Sequence, residues 1–207
     1  GMKGIGIGSG LGGVINIKRG HYEFDMKGQE GACIGSVNGD SELFIEYCDM
    51  DIYSGISNGT IIGSVNGDAD IKLENISAKL QGAGNIITGI GTIAGNSCMV
   101  RLENVNISSN IRAKECYGIG CRAGRTNIYI GYAAVKSVVQ GKAAVAFGNS
   151  IMSAKLYCSN ADIGTNAVTE FNSDIGALEK NIQLENGRAE FILNGQEVKR
   201  QILAARL

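Results

Sequence analysis

The chain has 207 residues and a formal charge of -1, with 19 basic and 20 acidic side chains, so it offers no basic excess for nucleic acid and no acidic solvating tail. Glycine is abundant at 31 residues, while proline and tryptophan are absent. No run approaches the ~20 apolar residues of a membrane span, and no basic-then-apolar leader is visible.

Gly-rich chains are often disordered, but here the glycines alternate with short Ile, Val and Leu runs. That pattern predicts many short strands joined by tight turns. The opening, GIGIGSGLGG, contains a G-x-G-x-x-G from Gly8 to Gly13. A dinucleotide site needs a helix after such a turn, whereas β-type residues (VINI) follow. The glycines there are read as repeat geometry.

An apolar residue followed by Gly recurs at Ile7-Gly8, Ile34-Gly35, Ile62-Gly63, Ile90-Gly91, Ile119-Gly120, Phe147-Gly148 and Ile175-Gly176. The steps are 27, 28, 28, 29, 28 and 28 residues. A period this constant is the signature of a repeat architecture. Within the third unit the apolar positions are Ile71, Leu73, Ile76, Ala78 and Leu80; the second gives Leu43, Ile45, Cys48, Met50 and Ile52. A spacing of two marks strands with one face inward, and the step of three marks a corner. A third apolar segment surrounds each Ile-Gly anchor.

These features predict an all-β fold: a single-stranded right-handed parallel β-helix of about seven coils of ~28 residues, with three short strands per coil. A left-handed hexapeptide helix is disfavoured because a 28-residue coil does not divide into six-residue steps. Asn75, Asn104 and Asn160 fall at corresponding corners, where Asn tolerates the left-handed conformation. Repeats are expected over residues 1–181. Residues 182–207 are expected to form the last coil and a cap, either a hairpin turning at Asn194-Gly195 or a helix started by Asn194 with Val198, Ile202 and Ala205 on one face.

With its Asn-bearing corners the chain resembles right-handed parallel β-helix proteins of the pectate-lyase type. Its GIGIGS, GIGT and GIGC segments are similar to the Gly-rich β-helix repeats of gut-bacterial surface proteins. The resemblance covers residues 5 to about 192 and implies architecture rather than activity. It places the protein outside the cell or on its surface, the alternative being the cytoplasm. Gly1 before Met2 reads as a tag remnant. A chain opening inside a repeat fits a fragment of a longer protein with further domains, although Met2 is equally a natural start.

The six cysteines, Cys33, Cys48, Cys98, Cys116, Cys121 and Cys158, include no C-x-x-C pair. They are expected to be buried free thiols, which suit a reducing or anoxic setting. The sole histidine, His21, is expected on the surface.

Stacking turns residues 28 apart into neighbours on the outer wall. One such column holds Glu46, Glu74 and Glu103, a candidate Ca²⁺ site or a solvated corner screened by Lys72 and Arg101. A second holds Tyr129 and Tyr157 in line with Phe44, Lys72 and Arg101, with Tyr132 at the adjoining corner. Tyr129, Tyr132, Tyr157 and Arg101 are the candidate ligand-binding residues, through rings that stack on sugars. The competing reading is simple cross-strand pairing of aromatics.

Asp49, Asp51, Asp68 and Asp70 are numerous enough for glycoside hydrolysis, but no catalytic constellation accompanies them. The leading expectation is a non-enzymatic rod of a bacterial surface or secreted protein that spaces domains, adheres or binds polysaccharide. The alternatives are a lyase or hydrolase acting on uronic-acid-containing glycans through the glutamate wall, and an intracellular oligomeric assembly module.

Overall fold

The structure is a computed structural model of the chain and describes residues 3–170, 175 and 182–198. It is all-β: β1 (Lys3–Ser9), β2 (Gly13–Asn38), β3 (Ser41–Asn66), β4 (Ala69–Gly131), β5 (Ala134–Gln140), β6 (Ala143–Gly148), β7 (Ala154–Ser159), β8 (Asp162–Val168), β9 (Ile182–Glu185), β10 (Arg188–Leu193) and β11 (Gln196–Glu197). Several strands are long because the ladder continues around the corners. β1 to β10 pair in parallel at a near-constant offset: Ile15 with Leu43, Leu43 with Ile71, and Ile128 with Leu156.

The chain is therefore a parallel β-solenoid of about six turns at ~28-residue spacing. Coils lie ~4.8 Å apart, so the stack is on the order of 30 Å long. Seven corner residues bound those six turns: Arg19, Tyr47, Asn75, Asn104, Tyr132, Asn160 and Asn186 all have φ between 46° and 57°. The corner column is thus wider than the three asparagines that reveal it in the sequence. Asn104 Nδ2 donates to Asn75 Oδ1 at 2.6 Å, and the Arg19 guanidinium sits 6.0 Å from the Tyr47 ring centre.

Inward positions stack into continuous columns that form the core. Ile45, Leu73, Leu102, Ile130 and Cys158 line one wall; Met50, Ala78, Ile107, Val135 and Ile163 line the next. All six cysteines are free and buried. Burial pushes the thiols of Cys33, Cys116 and Cys121 up to about 11 and that of Cys158 to about 12.

The third wall departs from simple alternation. At the Ile-Gly anchors, Gly35, Gly63, Gly91 and Gly120 have φ of 137–140°, and each would drive an added Cβ into the glycine carbonyl of the next coil. The wall bends inward there, so side chains on either side of the glycine meet outside the main core. Tyr117 Oη lies 3.4 Å from Ser150 Oγ, and Arg122 Nε donates to Glu115 at 2.6 Å. Ala32, Val37, Val65, Ile93, Tyr117 and Val145 are buried without belonging to the main core cluster.

Just past the bend, Ser36, Ser64 and Thr92 donate to the Gly39, Gly39 and Gly67 carbonyls at 2.8, 2.9 and 2.7 Å. This explains the repeated SVNGD: the hydroxyl satisfies a carbonyl that the tight turn leaves without a ladder partner. Asp40 and Asp68 finish the same turns. Asp40 Oδ1 accepts from the Asp68 amide at 2.8 Å, and Asp68 Oδ1 accepts from Asn96 and Ser97.

At the C-terminal end β9 pairs with β7 and β10 with β8, so the coil pattern runs through Leu193. The chain then reverses at Asn194-Gly195, whose φ values of 50° and 81° suit a two-residue hairpin turn, and β11 pairs antiparallel with β10. The helix alternative fails over residues 194–197, which are turn and strand. Ile202 and Ala205, like the Gly176 anchor, lie outside the described residues. Among the described residues no helix is long and apolar enough to cross a membrane.

Candidate functional site

The outward side of the first wall carries two neighbouring columns. One runs Asn16, Phe44, Lys72, Arg101, Tyr129, Tyr157, Gln183; the register pairs Phe44 with Lys72, Tyr129 with Tyr157, and Tyr157 with Gln183. The other runs Lys18, Glu46, Glu74, Glu103, Gly131, Ser159, Glu185, with Gly131 paired to Ser159 and Ser159 to Glu185. The second column is charged everywhere except at Gly131 and Ser159. Those two small residues leave a hollow beside the tyrosines.

That hollow is a half-open recess of about 730 Å³ lined by Lys72, Glu74, Arg101, Glu103, Tyr129, Tyr157 and, at its far end, Gln183 and Glu185. The Glu103 carboxylate lies over Gly131, in the space that a side chain at that position would take. The structure thus gathers Arg101, Tyr129, Tyr157, Glu74 and Glu103 into one place. Tyr132 is not among them. As a corner residue it points away and borders a shallower hollow with Asn160 and Asn186.

The tyrosine rings are arranged differently from the sequence expectation. Their centroids are 5.0 Å apart and the planes 6° from parallel, so they stack on each other along the rod. The facing sides of the pair are consumed, and what reaches the recess is ring edge, hydroxyl, and one free face at each end. Offset stacking of this kind contributes about 0.5–1.5 kcal/mol beyond area burial, which is what the cross-strand pairing reading requires.

The cations are engaged. Lys72 Nζ lies 2.6 Å from Glu74 Oε2, and this contact raises the Lys72 pKa. Arg101 turns back one coil to bond Asp70 and also contacts the Met99 sulfur of its own coil. Glu46 lies outside the recess and pairs with Lys18 at 3.5 Å. The Glu46, Glu74 and Glu103 column is consequently a string of separate contacts, and among the described residues no group of three His, Cys, Asp or Glu side chains converges on a metal position. Lys18 and Lys72 offset part of the repulsion between neighbouring carboxylates. Glu103 and Glu185 have no ion pair among the described residues.

The remaining acidic candidates are committed elsewhere. Asp49 and Glu23 flank His21 at 3.1 and 3.0 Å, and the Glu23 bond, then the Asp49 bond, raise the His21 pKa. Asp51 faces Lys79 at 3.4 Å. Sequence arithmetic misses Gln183 and Glu185 because the last step, from Tyr157 to Gln183, is 26 residues rather than 28. Aligning Asn160 with Asn186 as left-handed corners recovers it. Compared with protein-family models, curated proteins and solved structures, the chain matches none.

Proposed function

We propose that this chain is a rigid, non-catalytic β-solenoid of a bacterial surface or secreted protein that binds polysaccharide along its first wall, in the recess beside Tyr129 and Tyr157. The observation that carries this reading is the recess itself: two aromatic rings, an amide and two carboxylates without ion pairs around a floor of Gly131 and Ser159. A recess that sets ring edges beside several hydrogen-bonding side chains suits a hydroxyl-rich chain lying across the coils. A stacked solenoid changes shape little, so such a site is preorganised and loses little entropy on binding.

A catalytic reading has less support. The cysteines are protonated and buried, and the aspartates considered for glycosidic chemistry are tied into turns or ion pairs. Among the described residues no nucleophile is held by a base that is itself oriented by a third group, the arrangement covalent catalysis needs.

The test is a glycan-array screen of the purified chain, followed by titration of the best ligand. Tyr129→Ala with Tyr157→Ala is expected to weaken binding by about tenfold or more with the strand signal in circular dichroism intact, while Tyr132→Ala changes little. Binding that survives the double replacement unchanged would refute the site. Release of unsaturated uronides or new reducing ends from any bound glycan would refute the non-catalytic part.

A further inference from the structure

Building on the polysaccharide reading above, we propose that the recess selects a saccharide bearing free amines, and that Glu103 and Glu185 are the groups that make the selection.

Charge in the recess is left unmatched on the acidic side. Among the described residues, five charged side chains line the recess: Lys72, Arg101, Glu74, Glu103 and Glu185. Both cations are already matched, Lys72 by Glu74 at 2.6 Å and Arg101 by Asp70 in the preceding coil. Each cation is thereby largely neutralised before a ligand arrives. The charges that remain are the two carboxylates, one at each end of the hollow, with no ion pair among the described residues. An acidic sugar placed between them meets like charge at both ends. An ammonium group meets an acceptor at either end.

The spacing suits an oligomer. Glu103 and Glu185 stand three coils apart in one column, and the Glu103 side chain reaches over Gly131, so its carboxylate lies about two coils, roughly 10 Å of rod at ~4.8 Å per coil, from the Glu185 position. Two or three sugar rings span such a distance. The tyrosine hydroxyls and the Gln183 amide lie along the other long side to meet sugar hydroxyls. This reverses the ligand charge that the uronic-acid alternative assumes. It also gives the glutamates a role that needs no metal.

Calorimetric titration of the intact chain with three tetramers tests it: glucosamine, N-acetylglucosamine and galacturonate. The first two share a backbone and differ in the amine. The glucosamine tetramer is expected to bind about tenfold more tightly than its acetylated form, with galacturonate weakest, and the preference is expected to fade with added salt. Glu103→Gln and Glu185→Gln should each weaken the glucosamine tetramer roughly three- to fivefold, the size expected for exposed charge pairs, and weaken the acetylated tetramer by less, so that the preference between the two narrows. A distant double replacement, Asp25→Asn with Glu190→Gln, is expected to have no effect. An equal loss from that control would show general adhesion of a polycation and overturn the proposal, as would tighter binding of the acetylated or acidic tetramer. Binding of either of those alone would overturn only this inference. Binding of no saccharide would overturn the polysaccharide reading as well.

Discussion

The rings of Tyr129 and Tyr157 stack 5.0 Å apart at 6° from parallel, at nearly the distance that separates two coils of the solenoid. The pair is therefore part of the wall as well as a border of the recess. In a double-mutant cycle, Tyr129→Ala and Tyr157→Ala are expected to be non-additive by about 0.5–1.5 kcal/mol in chemical denaturation. Additive losses would mean that the rings do not support each other.

The glycine column at the bend leaves no room for a side chain. Gly63 has φ 139°, and a Cβ there would overlap the Gly91 carbonyl of the next coil. Gly63→Ala should destabilise the protein by on the order of 3 kcal/mol or more, or prevent folding. Gly164→Ala is the matched comparison: an added Cβ meets nothing within 4 Å, and a change within about 0.5 kcal/mol is expected. Equal thermal unfolding of the two variants would contradict the geometry.

The corner column carries side chains of unequal fitness. Tyr132 sits at φ 46° and is 65% exposed, while Asn75, Asn104, Asn160 and Asn186 hold the same conformation with the residue type that best tolerates it. Tyr132→Asn should raise stability by about 0.5–1 kcal/mol. A fall in melting temperature would show that the tyrosine contributes a contact worth more than the strain it bears.

The buried thiols make stability depend on alkaline pH. Their folded pKa values are raised, to about 11 for Cys33, Cys116 and Cys121 and about 12 for Cys158, from an ordinary value of 9.0. Above pH 9 the unfolded chain loses thiol protons that the folded chain keeps, so the free energy of unfolding falls as pH rises. Each thiol shifts the balance by at most about 3 kcal/mol for Cys33, Cys116 and Cys121 and about 4 kcal/mol for Cys158. The melting temperature is expected to fall steadily between pH 9 and 11. A thiol reagent at pH 8 should label the native chain slowly and the denatured chain at once. Fast native labelling would contradict the burial.

Much of the fold is legible in the sequence because a stacked coil imposes one rule on every unit. An inward position such as Leu73 must be apolar in each coil, and the anchor glycine must lack a Cβ in each coil, so the period survives drift elsewhere. The corner is less legible: Arg19, Tyr47 and Tyr132 occupy the left-handed position that only asparagine announces. The burial of Val37, Val65 and Tyr117 is not legible from alternation, because the positive φ at Gly35, Gly63 and Gly120 folds the wall back on its own outer side chains.

The candidate site divides in the same way. Column arithmetic alone determines that Tyr129, Tyr157 and Arg101 share a line and that Glu74 and Glu103 share its neighbour, since a constant period fixes which residues are superposed. Tertiary structure decides what those neighbours do. It stacks the tyrosines on each other, turns Arg101 back to Asp70, sends Tyr132 to a different hollow, and brings in Gln183 and Glu185 through a shortened last step. The physical reason is that the period specifies only backbone position along the rod. Ring orientation, ion-pair choice and the hollow over Gly131 and Ser159 depend on side-chain packing between coils, which no single repeat encodes.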